Sequence, residues 1–415
     1  MTATDSRSIA EPPAPSPAVA PPPGSPRFAL FDSLRGIAVL FIVGYHVAAV
    51  TGFINNGRVG DAIIVLGNEA LILFFVISGF LLYRPYVSAR AKGRPQPSTR
   101  RYARRRVLRI VPAFWVALTV LAIFPGMVGI FSDDWWRYYG FLQLYSHQTL
   151  LTGIPPAWSL SVEVAFYIAL PFWAMAIRKV HIGSGENAWL RAELAGLALV
   201  ACFGVVIQVL AARKVITDLI AQSVLGACVW LALGMCLAVA SVAAERRRGR
   251  TRLVDVVTQH PALCWLGAVA SLVGLVALLH PGGLFGLILA TRTKQEYATT
   301  LGSIALTATL STLLVLPAVF GERAGGLPRR LLAWAPIAWI GLVSYGIYLW
   351  HFPVAHVLGL TKDPQHFSAT GLGLARKIHH ATTPILFVLT LGVTAAIAAV
   401  SYHVIELPFL RRKER

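Results

Sequence analysis

Apolar stretches of 18 or more residues alternate with short polar connections along most of this 415-residue chain. A stretch of that length is what a helix needs to cross the hydrocarbon core of a bilayer, and a soluble core has no reason to contain so many. The pattern predicts ten spans, near residues 30–50, 62–83, 107–126, 157–177, 194–211, 219–242, 262–279, 299–320, 334–356 and 384–404. The expected fold is all-α, a polytopic membrane helical bundle of about ten transmembrane helices. Composition agrees, with 56% hydrophobic and 13% charged residues. There is no internal repeat, and no matched pair of Gly/Pro-broken spans of the kind that marks many transporters.

The distribution of charge then orients the bundle. Residues 84–106 carry Arg84, Arg90, Lys92, Arg94, Arg100, Arg101, Arg104, Arg105 and Arg106, whereas residues 51–61 carry only Arg58. Arg178 and Lys179, Arg246 to Arg252, Arg323, Arg329 and Arg330, and the last five residues add to the first side. The positive-inside rule makes that side cytoplasmic, with both termini there. A net charge of +19 thus reads as loop charge that sets topology, with no nucleic acid as partner. Residues 1–28 form an expected disordered, proline-rich cytoplasmic tail without a signal peptide, residues 29–410 the membrane domain and 411–415 a basic tail. Residues 127–156, with the aromatic cluster Trp135 to Tyr145, suggest an interfacial or re-entrant segment that can cover a site from outside. Cys202, Cys228, Cys236 and Cys264 lack metal-site spacing, and no metal is expected.

An ionisable side chain deep in a span costs about 2.5–3.5 kcal/mol on insertion scales, so each needs a partner or a task. In DSLRGIAVLFIVGYH, Arg35 and His46 stand eleven residues apart and so share one helix face, about 16 Å apart along the axis. A cation at the cytoplasmic end can take phosphate, and deeper in the span desolvation favours the neutral imidazole of a general base. Snorkelling explains Arg35 equally well, and a hydrogen bond to a neighbouring helix explains His46. In WSLSVEVAFY, Ser159, Glu163 and Tyr167 recur at i, i+4 and i+8 as a polar stripe, with Glu163 in want of a cationic or histidine partner. Ser344, Tyr348 and His351 share a face in SYGIYLWHFPV; an interfacial histidine is the alternative for His351. Arg106 and Arg109 lie one turn apart and can grip a phosphate, although anchoring accounts for their neighbours. Ser78 and Gly79 in FFVISGFLL read as packing positions, and Glu406 in IELPF as a structural partner for nearby arginines.

Taken in order, DSLRGIAVLFIVGYH, FFVISGFLL, RRRVLRIVPAFW, WSLSVEVAFY, SYGIYLWHFPV and IELPF resemble the membrane-bound acyltransferase family 3, over residues 28 to about 410. The resemblance implies transfer of an acyl group, usually acetyl, from acyl-coenzyme A to a sugar hydroxyl of a surface glycan or glycolipid in the cytoplasmic membrane. It also implies roles: His46 and Glu163 catalytic, Arg35, Arg106 and Arg109 holding the donor's phosphates, and Trp158, Ser161, Tyr348 and His351 binding the acceptor. Glu163 would orient or charge-balance His46. Glu69 departs from the family pattern, which leaves its role open. Some relatives carry a C-terminal hydrolase-like domain; this chain stops about ten residues after its last span, so it is expected to complete transfer alone or with a separate partner. His46 either deprotonates the acceptor or accepts the acyl group itself. A carrier or flippase for a lipid-linked sugar, and a silent docking partner for other envelope enzymes, are the rival readings. Acceptor identity, acyl chain and oligomeric state stay open.

Overall fold

The computed structural model describes residues 29–246, 252–279, 292–320, 325–359 and 383–411. The proline-rich tail and the chain after Arg411, expected to be cytoplasmic extensions, lie outside them. Among the described residues every regular element is helical. The long helices are α1 (Ala29–Val50), α2 (Gly57–Ala91) and α3 (Thr99–Ile123), then, after the short α4 (Trp135–Tyr139), α5 (Trp158–Arg178) and α6 (Ala188–Ala212). A turn of helix, α7 (Asp218–Gln222), leads into α8 (Val224–Arg246), and α9 (Arg252–Gln259) into α10 (Pro261–Leu279). There follow α11 (Arg292–Val319), α12 (Gly326–Leu332), α13 (Ala335–Leu342), α14 (Ser344–Gly359) and α15 (Thr383–Ser401), which closes in a π turn, Tyr402–Glu406, and α16 (Leu407–Arg411). Nine helical stretches among the described residues are long and apolar enough to cross a membrane, and the bent pair α13–α14, counted as one span, brings the number to ten. Each expected span coincides with one of them.

Hydrogen bonds gather alternate helix ends at a common basic end. Arg84 near the end of α2 donates to Glu245 and Ser241 of α8, and Arg246 donates to the Ala91 carbonyl. Arg90 pairs with the buried Glu193 of α6 at 2.7 Å, and the same carboxylate accepts from Tyr83, whose hydroxyl accepts from Trp173 of α5 at 3.1 Å. At the start of α1, Ser33 donates to the Leu332 carbonyl at 2.5 Å. Exposed apolar residues such as Phe172, Leu199 and Val404 ring the bundle, the surface that a lipid solvent requires.

Glycine sets two close crossings. A Cβ at Gly79 would lie 2.3 Å from the Leu231 carbonyl oxygen, and one at Gly234 2.0 Å from that of Val76, so α2 and α8 touch backbone to backbone. The packing role expected of Gly79 is the one observed. Gly36 of α1 and Gly341 of α13 make the second crossing; a Cβ at Gly341 would lie 1.6 Å from the Asp32 carbonyl oxygen. Here the structure departs from the expectation of one continuous ninth span, because the chain bends by 75° between α13 and α14. Having packed α13 tightly across α1, it turns at Val343 to run α14 beside α1 and α15, and Ser344 covers the Gly341 carbonyl at 2.8 Å.

Arg329, counted among the loop charges of the basic side, is 0% exposed and donates to five carbonyls, those of Pro317, Thr258, Gly325, Val257 and Phe320, at 2.7–3.2 Å. Its guanidinium therefore caps the C-terminal ends of α9 and α11 at once, where the helix dipoles favour a cation. Residues 127–156 fold into a compact cover held by Gln143 to the Ile154 carbonyl at 3.1 Å and Tyr138 to Thr152 at 2.6 Å. Trp135 and Trp136 stay exposed, as an interfacial segment requires.

Replacing Arg329 with Leu strands these carbonyls in a buried site and should cost about 3 kcal/mol or more. Thermal unfolding in detergent should show a loss of at least about 5 °C, with Arg329→Lys intermediate because an ammonium has three donors and no fork. An unchanged melting temperature in Arg329→Leu would remove the staple from the account.

Candidate active site

Helix α1 presents Arg35 and His46 to two cavities at different depths. The first, about 170 Å³, is lined by Arg35 from α1, Ser78 from α2, Arg106 and Arg109 from α3, Glu163 and Tyr167 from α5, and Tyr345 from α14. Three guanidiniums thus face one carboxylate, and that carboxylate is held by hydroxyls. Ser78 donates to Glu163 Oε1 at 3.2 Å and Tyr167 to Oε2 at 2.5 Å. Arg35 lies 3.6 Å from Asp32 on its own helix, and Arg106 lies 5.9 Å from the Tyr167 ring centroid with its buried Nε unsatisfied among the described residues. Arg35 and Arg109 repel across the space between them. A chamber with surplus fixed cations and an orphaned guanidinium N–H suits a multiply charged anion.

The second cavity, about 380 Å³, is lined by His46, Tyr45, Asn68, Trp158, Phe352 and His356, with Leu151, Pro155 and Pro156 from the covering segment. His46 is bound from behind. Its Nδ1 lies 2.9 Å from the Ile42 carbonyl oxygen and 3.1 Å from Nε2 of His351. His351 is 0% exposed, and its own Nδ1 lies 3.1 Å and 2.9 Å from the carbonyls of Ile347 and Tyr348. Carbonyls only accept, so His351 Nδ1 carries the proton and, in the neutral ring, Nε2 is an acceptor. His46 Nδ1 then faces two acceptors and must donate. The remaining lone pair of His46 is on Nε2, the tautomer of a general base.

Ile42, Leu71, Ser159 and Tyr348 line both cavities and form the waist between them. Its polar side is tied down: Tyr348 donates to the Pro156 carbonyl at 2.5 Å, and the Ser159 and Tyr348 hydroxyl oxygens are 2.9 Å apart. The 75° bend before Ser344 is what lets α14 bring Tyr348 to the waist and His351 to His46 from one helix.

A family model described as an acyltransferase domain matches residues 28–403. The chain belongs to the acyltransferase 3 family. The peptidoglycan O-acetyltransferase OatA of Listeria monocytogenes is 23% identical over 406 residues, 91% of this chain and 55% of that protein. YrhL of Bacillus subtilis, named as a candidate peptidoglycan O-acetyltransferase, is 25% identical over 91% of this chain and 54% of its own length. The acyltransferase MdmB of Streptomyces mycarofaciens is 30% identical over 175 residues, 39% of this chain and 43% of that one. The chain spans about half the length of these relatives. No solved structure matches it.

Within this acyltransferase fold, the residues singled out in the sequence divide unevenly between the chambers. Arg35, Arg106, Arg109 and Glu163 meet in the basic one, Trp158 lines the histidine one, and Tyr348 borders both. Glu163 accepts from two hydroxyls and shares its chamber with three guanidiniums, whereas His46 lines the other cavity. His351 lines neither cavity and reaches them through His46. Ser161 is buried outside both with an unsatisfied hydroxyl. Glu69 accepts from Thr307 at 2.7 Å, away from the site, and the buried Glu406 sits in the π turn within reach of Arg109's field. Sequence reasoning missed Ser78 as a partner of Glu163 and His356 as a lining residue. For Ser78 a signal existed, since it stands one residue before the glycine that brings α2 close to α8.

In a chain whose four native cysteines are replaced by alanine, a cysteine at Asn68 should react with a membrane-impermeant thiosulfonate added outside intact cells. One at Leu81, in the basic chamber, should react only in inside-out vesicles. The reverse pattern would invert the orientation read from the arginines.

Proposed function

We propose that the protein is a membrane O-acyltransferase of the cytoplasmic (inner) membrane. It moves an acyl group, acetyl by default, from acyl-coenzyme A to a hydroxyl on a carbohydrate or glycolipid of the cell envelope. The observation that carries this reading is the pair of unlike cavities meeting at one waist, an anion site on one side and a base with an open lone pair on the other. Coenzyme A matches the first: its nucleotide phosphates take Arg35, Arg106 and Arg109 as charge-assisted donors, with Arg106 Nε still to be satisfied. Its thin pantetheine arm leads the thioester to the waist. The second suits a sugar, with Trp158 and Tyr45 for ring faces and Asn68 for hydroxyls. The names of the relatives, two of them peptidoglycan O-acetyltransferases, support the acceptor class.

Two chambers allow both substrates to be bound at once, so transfer is direct. The acceptor hydroxyl oxygen attacks the thioester carbonyl carbon while its proton passes to His46 Nε2. The carbon–sulfur bond breaks, and the departing thiolate takes that proton to leave as free coenzyme A. Throughout, His351 accepts from His46 Nδ1 and holds the ring, as an orienting third group does in other histidine sites. Glu163 balances the charge of the basic chamber through Ser78 and Tyr167.

Purified full-length protein should release free thiol from acetyl-coenzyme A when muropeptide fragments are supplied, and a carrier would release none. His46→Ala should lower kcat by about 100-fold or more. Arg106→Ala and Arg109→Ala should instead raise KM for the donor by roughly tenfold each, the loss of one charge-assisted contact. His351→Ala should lower kcat by about 100-fold with KM unchanged, and His351→Gln, which can accept from His46 and donate to a carbonyl, should recover part of it. Full activity in His46→Ala would end the assignment.

A further inference from the structure

The two chambers differ in charge as sharply as in shape. Arg35, Arg106, Arg109 and Glu163 line the basic one. Among the described residues that line the His46 chamber, none is Asp, Glu, Lys or Arg. Between them the waist offers two aliphatic side chains, Ile42 and Leu71, and two hydroxyls that are already engaged with each other and with the Pro156 carbonyl. His46 lies beyond the waist from the arginines, so an acyl group reaches its Nε2 only by passing through that ring ahead of the pantetheine arm.

An acyl chain that ends in a carboxylate meets a barrier on this route. The three guanidiniums stay with the coenzyme phosphates, and the waist and the described walls beyond it contain no cation to pair with the carboxylate. A buried carboxylate without a paired cation is strongly disfavoured, whereas a methyl or ethyl group gains from contact with Ile42 and Leu71. The binding of the coenzyme moiety is the same in both cases.

We infer that the waist is a charge filter: the donor is the coenzyme A thioester of an uncharged, short aliphatic acid, and dicarboxylic donors such as succinyl- or malonyl-coenzyme A bind without being used. The inference rests on the acyl-coenzyme A reading above and narrows it. For an accepted donor the acyl carbon exchanges its bond to sulfur for one to the acceptor oxygen, and the hydroxyl proton ends on the coenzyme A thiol by way of His46.

The test compares acetyl-, propionyl-, succinyl- and malonyl-coenzyme A as donors for the full-length protein, with muropeptide fragments as acceptor and thiol release as readout. Acetyl and propionyl donors should turn over. Succinyl and malonyl donors should show kcat/KM lower by about 100-fold or more, as expected when a site leaves a buried polar group unpaired. Succinyl-coenzyme A should nevertheless inhibit acetyl turnover competitively, with an inhibition constant close to the acetyl donor's KM. Leu71→Arg, or Ile42→Lys if the first does not give monodisperse protein, places a cation in the waist and should raise the succinyl-to-acetyl ratio by roughly tenfold. Comparable turnover of succinyl and acetyl donors by the unmodified protein overturns the filter alone, and so does an unchanged ratio in a folded waist variant. Absence of thiol release from every thioester overturns the donor reading, and the filter with it.

Discussion

The hydrogen bond between His351 Nε2 and His46 Nδ1, at 3.1 Å, joins residues 305 positions apart and fixes the His46 ring on which the proposed chemistry depends. Without it, His46 would have only its own helix's carbonyl to fix the ring. With it, and with two carbonyls fixing His351 in turn, the free lone pair of His46 is assigned to Nε2, in a ring that lines the second cavity. The bond requires α14 to lie against α1, and that requires α13 to have crossed α1 first at the Gly36–Gly341 contact. A side chain at either glycine would push the backbones apart and carry His351 away from its partner. Backbone packing in the first part of the broken span therefore sets proton placement in the second.

A low-dielectric interior dictates how the remaining charges are arranged. Three of the buried ions are enclosed by several partners. Arg329 takes five carbonyls, Glu193 takes Arg90 and Tyr83, and Glu163 takes two hydroxyls. Arg106 keeps a buried N–H unsatisfied among the described residues, in the chamber it lines with Arg35 and Arg109. Because that group faces a cavity, an anionic ligand can complete its hydrogen bonding.

Much of this was legible in the sequence wherever the information lies within one helix. Ten apolar runs gave the spans, and a separation of eleven residues put Arg35 and His46 on one stripe. Spacings of three and four residues likewise joined Arg106 with Arg109 and Glu163 with Tyr167. What the sequence did not disclose depends on contacts between helices. Nothing local to SYGIYLWHFPV pairs its histidine with the one in FIVGYH, and nothing in the apolar run around Val343 announces a 75° bend, since its cause is a glycine contact with a distant helix. Arg329 looked like any other loop arginine because the carbonyls that enclose it come from three separate segments. The cations expected near Glu163 share its chamber, but the serine that also holds it comes from another helix, and no spacing within WSLSVEVAFY discloses it.

The central claim is that a nucleotide thioester lying on the three arginines delivers its acyl carbon through the waist to His46 Nε2. A cryo-electron microscopy structure of the full chain with a non-hydrolysable acetyl-coenzyme A analogue tests this most directly. The account predicts phosphate density against Arg35, Arg106 and Arg109, with the acyl carbon about 3–3.5 Å from His46 Nε2. Density for the analogue outside the basic chamber, or an acyl group stopped on the arginine side of Tyr348 with the waist closed, would contradict it.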